Sequence, residues 1–150
     1  MRFTPAVLIL FSALSIPACA ASFDKQIPDQ QSIDALEQRA AQAQPREQCF
    51  LYAQLVHEMI EFSARQYAAG DVEKATGLLK KAQEFTHKIH MALAGNDKRL
   101  KDAQILLRHT AFRLTELLHT SSFEDRPVVQ ETLAQLNQAE DDAMLQVFKK

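Results

Sequence analysis

The sequence has no tryptophan, three glycines and two cysteines in 150 residues, and aromatic side chains make up 7% of it. Scarce glycine removes most of the positive-φ positions on which tight hairpins, phosphate-cradling loops and nucleophile elbows depend. No G-x-S-x-G, P-loop or dinucleotide fingerprint occurs. The absence of C-x-x-C-H excludes covalent haem attachment. Neither sign of charge dominates: 17 basic residues face 19 acidic ones, a formal net charge of −2. With 47% hydrophobic residues, the composition is that of one globular domain and not of a disordered chain.

Long hydrophobic runs are also few, and the clearest lies at the start of the chain. Arg2 precedes an apolar stretch from Ala6 to Leu14, which Pro17 breaks before Ala18-Cys19-Ala20. A basic start, a short apolar helix, a breaker and an A-x-A site form the secretory pattern. The stretch is far shorter than the ~20 residues that cross a bilayer. Cleavage after Ala20 is expected, giving an exported protein, periplasmic or extracellular, with a flexible segment over 21–28 and a single domain over 29–150. The cleaved chain carries 16 basic and 19 acidic residues. An alternative comes from Ile16-Pro17-Ala18-Cys19, which resembles a bacterial lipoprotein box and would tie the domain to a membrane through lipid on Cys19. Pro17 departs from that box.

If cleavage removes Cys19, the chain keeps one cysteine, Cys49, and one cysteine cannot form an intramolecular disulfide, so stability must come from the core. Cys49 falls in phase with Tyr52, Val56 and Met59 on one helix face, which predicts a buried thiol.

Break signals fall at Pro45, Gly70-Asp71, Gly95-Asn96 and Ser121 to Pro127, and the segments between them have a period of 3.6 and not 2. The spacing predicts helices over 29–44, 46–69, 71–94, 96–119 and from Asp125 onward. Their apolar faces carry Ile33, Leu36, Ala40 and Ala43; then Tyr52, Leu55, Val56, Met59 and Phe62; then Val72, Ala75, Leu79, Ala82, Thr86, Ile89 and Leu93. The fourth carries Leu100, Ala103, Leu107, Thr110, Leu114 and Leu117; the fifth Val129, Leu133, Leu136, Ala139, Ala143 and Val147. Such striped helices are unstable alone in water. Short turns make sequential neighbours antiparallel. The expected fold is all-α: an antiparallel up-down-up-down four-helix bundle with a short accessory N-terminal helix.

One turn carries a resemblance. Tyr67-Ala-Ala-Gly70-Asp71-Val-Glu-Lys-Ala75, followed by Leu78, Leu79 and Ala82, looks like the inner turn of a tetratricopeptide hairpin. That resemblance implies an α-solenoid adaptor that binds peptides in a groove. It covers about 25 residues, with no second copy at a 34-residue period.

Glu-x-x-His occurs twice, as Glu84 with His87 and Glu116 with His119, the motif that di-iron bundles project into their cores. Both pairs lie off the apolar seams and point to solvent. His57-Glu58-x-x-Glu61 resembles half a zinc helix, with Glu in place of the second His. His119, Ser121, Ser122 and Asp125 hold the ingredients of a triad in one short loop, but read as turn and cap chemistry. No metal, cofactor or catalytic residue is expected.

Residues 71–119 hold nine Lys or Arg against six Asp or Glu, and four of the five His; residues 124–150 hold three basic and six acidic. The basic set includes Lys80, Lys81, His87, Lys88, His90, Arg108, His109 and Arg113. It forms a candidate surface for an anionic partner, with weak contact to an anionic membrane among the options. Sequence-specific nucleic-acid binding is disfavoured by export and by the acidic total. The reading as a whole is an exported, non-enzymatic bundle that acts through protein contacts in the cell envelope. The alternatives are a tetratricopeptide-like adaptor and a metal-binding or enzymatic four-helix bundle.

Overall fold

The computed structural model describes residues 27–93 and 98–149. The predicted signal segment with Ala18, Cys19 and Ala20, and the Gly95-Asn96 break, lie outside them. Five helices form: α1 (Gln30–Gln42), α2 (Pro45–Ala68), α3 (Val72–Ala92), α4 (Leu100–Thr120) and α5 (Arg126–Phe148). The fold is all-α: α2 to α5 pack as an antiparallel bundle and α1 is a short N-terminal addition laid on α2.

Local chemistry sets most helix ends. Asp29 and Ser32 close a capping box on α1: the Asp29 carboxylate accepts from the Ser32 N–H at 2.7 Å, and the Ser32 hydroxyl accepts from the Asp29 N–H at 3.0 Å. Pro45 opens α2, where its missing N–H costs nothing. Gly70, at φ 83°, ends α2: its N–H bonds the Tyr67 carbonyl at 3.0 Å and that of Asp71 bonds the Gln66 carbonyl at 2.9 Å. The Asp71 carboxylate then caps α3 by accepting from the Lys74 N–H at 3.1 Å.

Two expectations at helix ends need correction. The fourth helix starts at Leu100 and not at residue 96, because the Lys98 N–H donates to the Arg46 carbonyl at 3.1 Å and holds the chain against the start of α2. Val72, expected on the apolar face of α3, is 44% exposed because the first turn of α3 overshoots the end of the core.

A third correction concerns which helices are neighbours. Chain direction alternates as expected, but α3 and α4 do not pack on each other. Among the described residues α2 touches α3 and α4, and α5 touches α3 and α4, so α3 and α4 stand at opposite corners. Connection length explains this. Three residues join α2 to α3 and five join α4 to α5, whereas seven separate Ala92 from Leu100. A seven-residue link reaches up to ~25 Å, enough to cross the end of a bundle. Each helix therefore has one antiparallel and one parallel neighbour. The α2–α4 pair advances together, with His57 beside Thr110 and Glu61 beside Arg113; so does α3–α5, with Gln83 beside Thr132 and His90 beside Asp142.

The core lies between the four corners. Met59, Leu79, Ile89, Leu107, Leu114 and Leu136 are fully enclosed there, and Cys49 is buried with them. α2 is enclosed almost all round, because α1, α3 and α4 each cover one side; Phe50, Leu51, Ala53 and Ile60 are buried as well as Leu55, Val56, Met59 and Phe62 of the predicted face. The buried hydroxyls of Ser63, Thr86, Thr110 and Thr132 each donate to a carbonyl, at 2.7–2.9 Å, which offsets the cost of taking them out of water. No helix of the described residues is long and apolar enough to cross a membrane.

Candidate functional site

The parallel contact of α2 with α4 leaves a cleft of about 480 Å³ on the side nearest the start of α1. Ile27 and Pro28 form its apolar wall; His57, Glu58, Glu61 and Arg65 enter from α2, and His109 and Arg113 from α4. On α2, Glu58, Glu61 and Arg65 stand at i, i+3 and i+7, a polar stripe beside the helix's apolar face.

Arg113 and Glu61 form a forked pair across the helices. Arg113 Nε donates to Glu61 Oε1 at 2.7 Å, and Nη2 donates to Oε2 at 3.3 Å. Arg113 Nη1 also donates to Glu116 on its own helix. The hydrogen bond from Arg113 holds the Glu61 carboxyl below the usual carboxylate range, against burial; the charges of Arg113, His57 and His109 lower it further. The same bond pushes the Arg113 guanidinium upward. Glu58 shifts the other way: burial raises its carboxyl, Ser32 opposes the rise, and the Asp29 charge adds to it.

His57 Nδ1 lies 2.9 Å from Thr110 Oγ1, and that hydroxyl spends its proton on the Leu106 carbonyl at 2.8 Å. Thr110 must therefore accept, so Nδ1 of His57 carries a proton. The His57 and His109 rings are tilted by 42° with centroids 5.5 Å apart. The Arg65 guanidinium lies over the Phe62 ring, 5.2 Å from its centroid. Its Nε and Nη2 are buried and have no hydrogen-bond partner.

The structure does not bring the eight residues of the basic set to one surface, because α3 and α4 are diagonal. On α3, Lys81 pairs with Glu37 of α1 at 2.5 Å, His90 with Asp142 of α5 at 2.8 Å, and Lys88 lies 4.4 Å from the Phe85 ring centroid. Lys80 and His87 are exposed. On α4, Arg108 meets Glu140 at 3.3 Å, while His109 and Arg113 belong to the cleft.

Both Glu-x-x-His pairs are exposed, and no group of three or more His, Cys, Asp or Glu suited to a metal occurs among the described residues. In the 119–125 loop, the Ser122 hydroxyl donates to Asp125 at 2.6 Å and accepts from the Asp125 N–H at 3.2 Å. The Ser121 hydroxyl donates to the Leu117 carbonyl at 2.6 Å. These serines make turn and cap bonds and none to His119.

Sequence reasoning singled out His57, Glu58 and Glu61, and placed His109 and Arg113 in a different group. It missed Arg65 as a cleft residue, and it placed Thr110 on the buried face of α4 without its contact to His57. The polar stripe on α2 was the available signal for Arg65, but its partners became visible only once α4 was known to lie beside α2. Comparison with protein families, curated proteins and solved structures finds no match to this chain.

Proposed function

We propose that this is an exported, non-enzymatic helical-bundle protein that works by binding another protein in the cell envelope, through the outer face of α4. The observation that carries the reading is a stripe at helical spacing. Ile105 is 54% and Phe112 61% exposed, on one face and two turns apart, with the exposed Lys101 and Arg108 beside them. Large apolar side chains held in water next to basic ones suit a partner helix that presents apolar residues flanked by carboxylates. Export rests on the secretory pattern of residues 1–20. The way the cleft's ionic groups commit to each other, with both Glu61 oxygens on Arg113, supports a binding role over a catalytic one.

Two measurements test this. The exported protein should begin at Ala21; an intact Met1 or a lipid-modified Cys19 in its mass spectrum would refute soluble export. A photo-crosslinking residue at Phe112, in the producing cell, should give a discrete protein adduct that Ile105→Asp abolishes. The same residue at Glu84, on the exposed side of α3, should give none. Equal adducts at both positions, or none at Phe112, would overturn the α4 contact.

A further inference from the structure

We propose that the occupant of the outer face of α4 is a second copy of this chain, docked antiparallel across a two-fold axis. The inference rests on the α4 contact argued above and names its partner. Ile105 and Phe112 stand seven residues apart on the side of α4 turned away from the core. The same stripe runs on through Lys101, four residues before Ile105, and Glu116, four residues after Phe112. All four side chains are exposed. The stripe is therefore basic at one end, acidic at the other and apolar between. Two such stripes laid antiparallel complement each other. Ile105 of each copy meets Phe112 of the other, and Lys101 of each meets Glu116 of the other, the reciprocal pairing that a two-fold interface requires. A parallel arrangement instead sets Lys101 against Lys101 and Glu116 against Glu116, and like charges opposed across an interface are costly.

The middle of the seam is kept clear of opposed charges. Glu140 draws the Arg108 guanidinium aside toward α5 at 3.3 Å, and His109 turns to the cleft on the α2 side. Glu116 receives Arg113 of its own helix on Oε2, and a carboxylate accepts more than one donor. α4 is a corner of the bundle whose neighbours, α2 and α5, lie on its core side, so two α4 helices can approach without obstruction. A foreign helix would have to present the same order of charges in reverse, which another α4 presents by symmetry. A seam of four residues per copy is far smaller than a stable interface, so this dimer is weak and reversible.

Sedimentation equilibrium of the purified protein tests this. The mean mass should rise toward that of two chains as the concentration approaches about 1 mM, and Ile105→Asp should hold it at one. Lys101→Glu should weaken the dimer by about tenfold or more, because Glu then faces Glu116 twice, and Glu116→Lys should do the same. The double variant, which exchanges the two ends of the stripe, should regain the parent's association. Orientation is read from chains carrying Lys101→Cys mixed with chains carrying Glu116→Cys: mixed disulfides should outnumber those within either variant. One chain's mass at every concentration, a double variant no stronger than its single variants, or a preference for like disulfides would overturn the antiparallel dimer. Crosslinking from Phe112 in the producing cell separates this inference from the reading beneath it. An adduct of two chains supports both, an adduct with a different protein keeps the α4 contact and overturns the second copy, and the absence of any adduct overturns both.

Discussion

Two glycines show how the same residue type can help or harm by position. Gly70 sits at φ 83° and its missing Cβ would meet nothing within 4 Å, so the penalty for a side chain there is conformational alone. Gly70→Ala should destabilise the protein by about 1 kcal/mol. Gly77 lies exposed inside α3, and a methyl group there would also meet nothing within 4 Å. Gly77→Ala should stabilise by up to about 1 kcal/mol, since alanine is the better helix former. Urea midpoints of the two variants check both signs. Carboxyl groups give a second residue-scale expectation. Glu61 is held low in the folded state by Arg113, so the unfolded chain binds more protons there. Its stabilisation is present above the unfolded value near pH ~4.3 and is lost as the pH falls through the lower folded value. Glu58, raised by burial, has the opposite sign: its ionisation costs stability as pH rises above ~4.3. Between about pH 7 and 3, Glu61→Gln should flatten the acid-side loss of stability and Glu58→Gln should steepen it. Identical slopes for parent and both variants would contradict these assignments.

At the scale of elements, helix positions were legible because the period-3.6 stripes, Pro45, Gly70-Asp71 and the Asp125–Pro127 start are local signals. Every position predicted on the face of α4, from Leu100 to Leu117, is buried. Neighbour choice was not legible in the same way. A stripe says that a helix has a buried side, not which helix covers it, and the diagonal placement of α3 and α4 followed from a link longer than the Gly95-Asn96 signal suggested. The site suffered most from this. Glu61 and Arg113 are 52 residues apart, and only the parallel α2–α4 contact joins them. α1 stands apart from the rest in how it is held: Ile33 and Ala40 are its buried residues, and Lys81 reaches Glu37 through a pair partly open to water. Such surface pairs contribute little, ~0–1 kcal/mol. Ile33→Ala should therefore release α1 without unfolding the bundle. Hydrogen exchange should rise across residues 30–42 and stay unchanged in α3 to α5; uniform acceleration would show that α1 is an integral part of the core.

For the whole molecule, a single core shared by four corners predicts one cooperative transition. The two tyrosines make this testable, because both lie on α2 and face α3: Tyr52 stacks obliquely on Phe85 with centroids 5.9 Å apart, and the Tyr67 hydroxyl lies 3.1 Å from that of Thr76. With tryptophan absent, fluorescence reports the α2–α3 half, whereas far-UV circular dichroism reports all five helices. The two urea curves should coincide. A tyrosine transition that precedes or follows the helical one would mean that α4 and α5 fold as a separate unit.

The link between α3 and α4 makes the molecule two helical hairpins that meet side by side, and this arrangement admits exchange of halves between chains. Removing residues 94–97 leaves three residues to join Ala92 to Leu100. The four Cα–Cα steps from Ala92 to Leu100 then reach at most ~14 Å when fully extended, while the diagonal of a square of helices spaced 8–10 Å apart is ~11–14 Å, so nothing is left for turning the chain at either helix end. Such a shortened chain has difficulty closing on itself, but its α4–α5 hairpin can dock on the α2–α3 hairpin of a second chain through the same surfaces. Light scattering should find it as a domain-swapped dimer with parental helix content, and a helical monomer would show that the crossing needs less chain than its geometry implies.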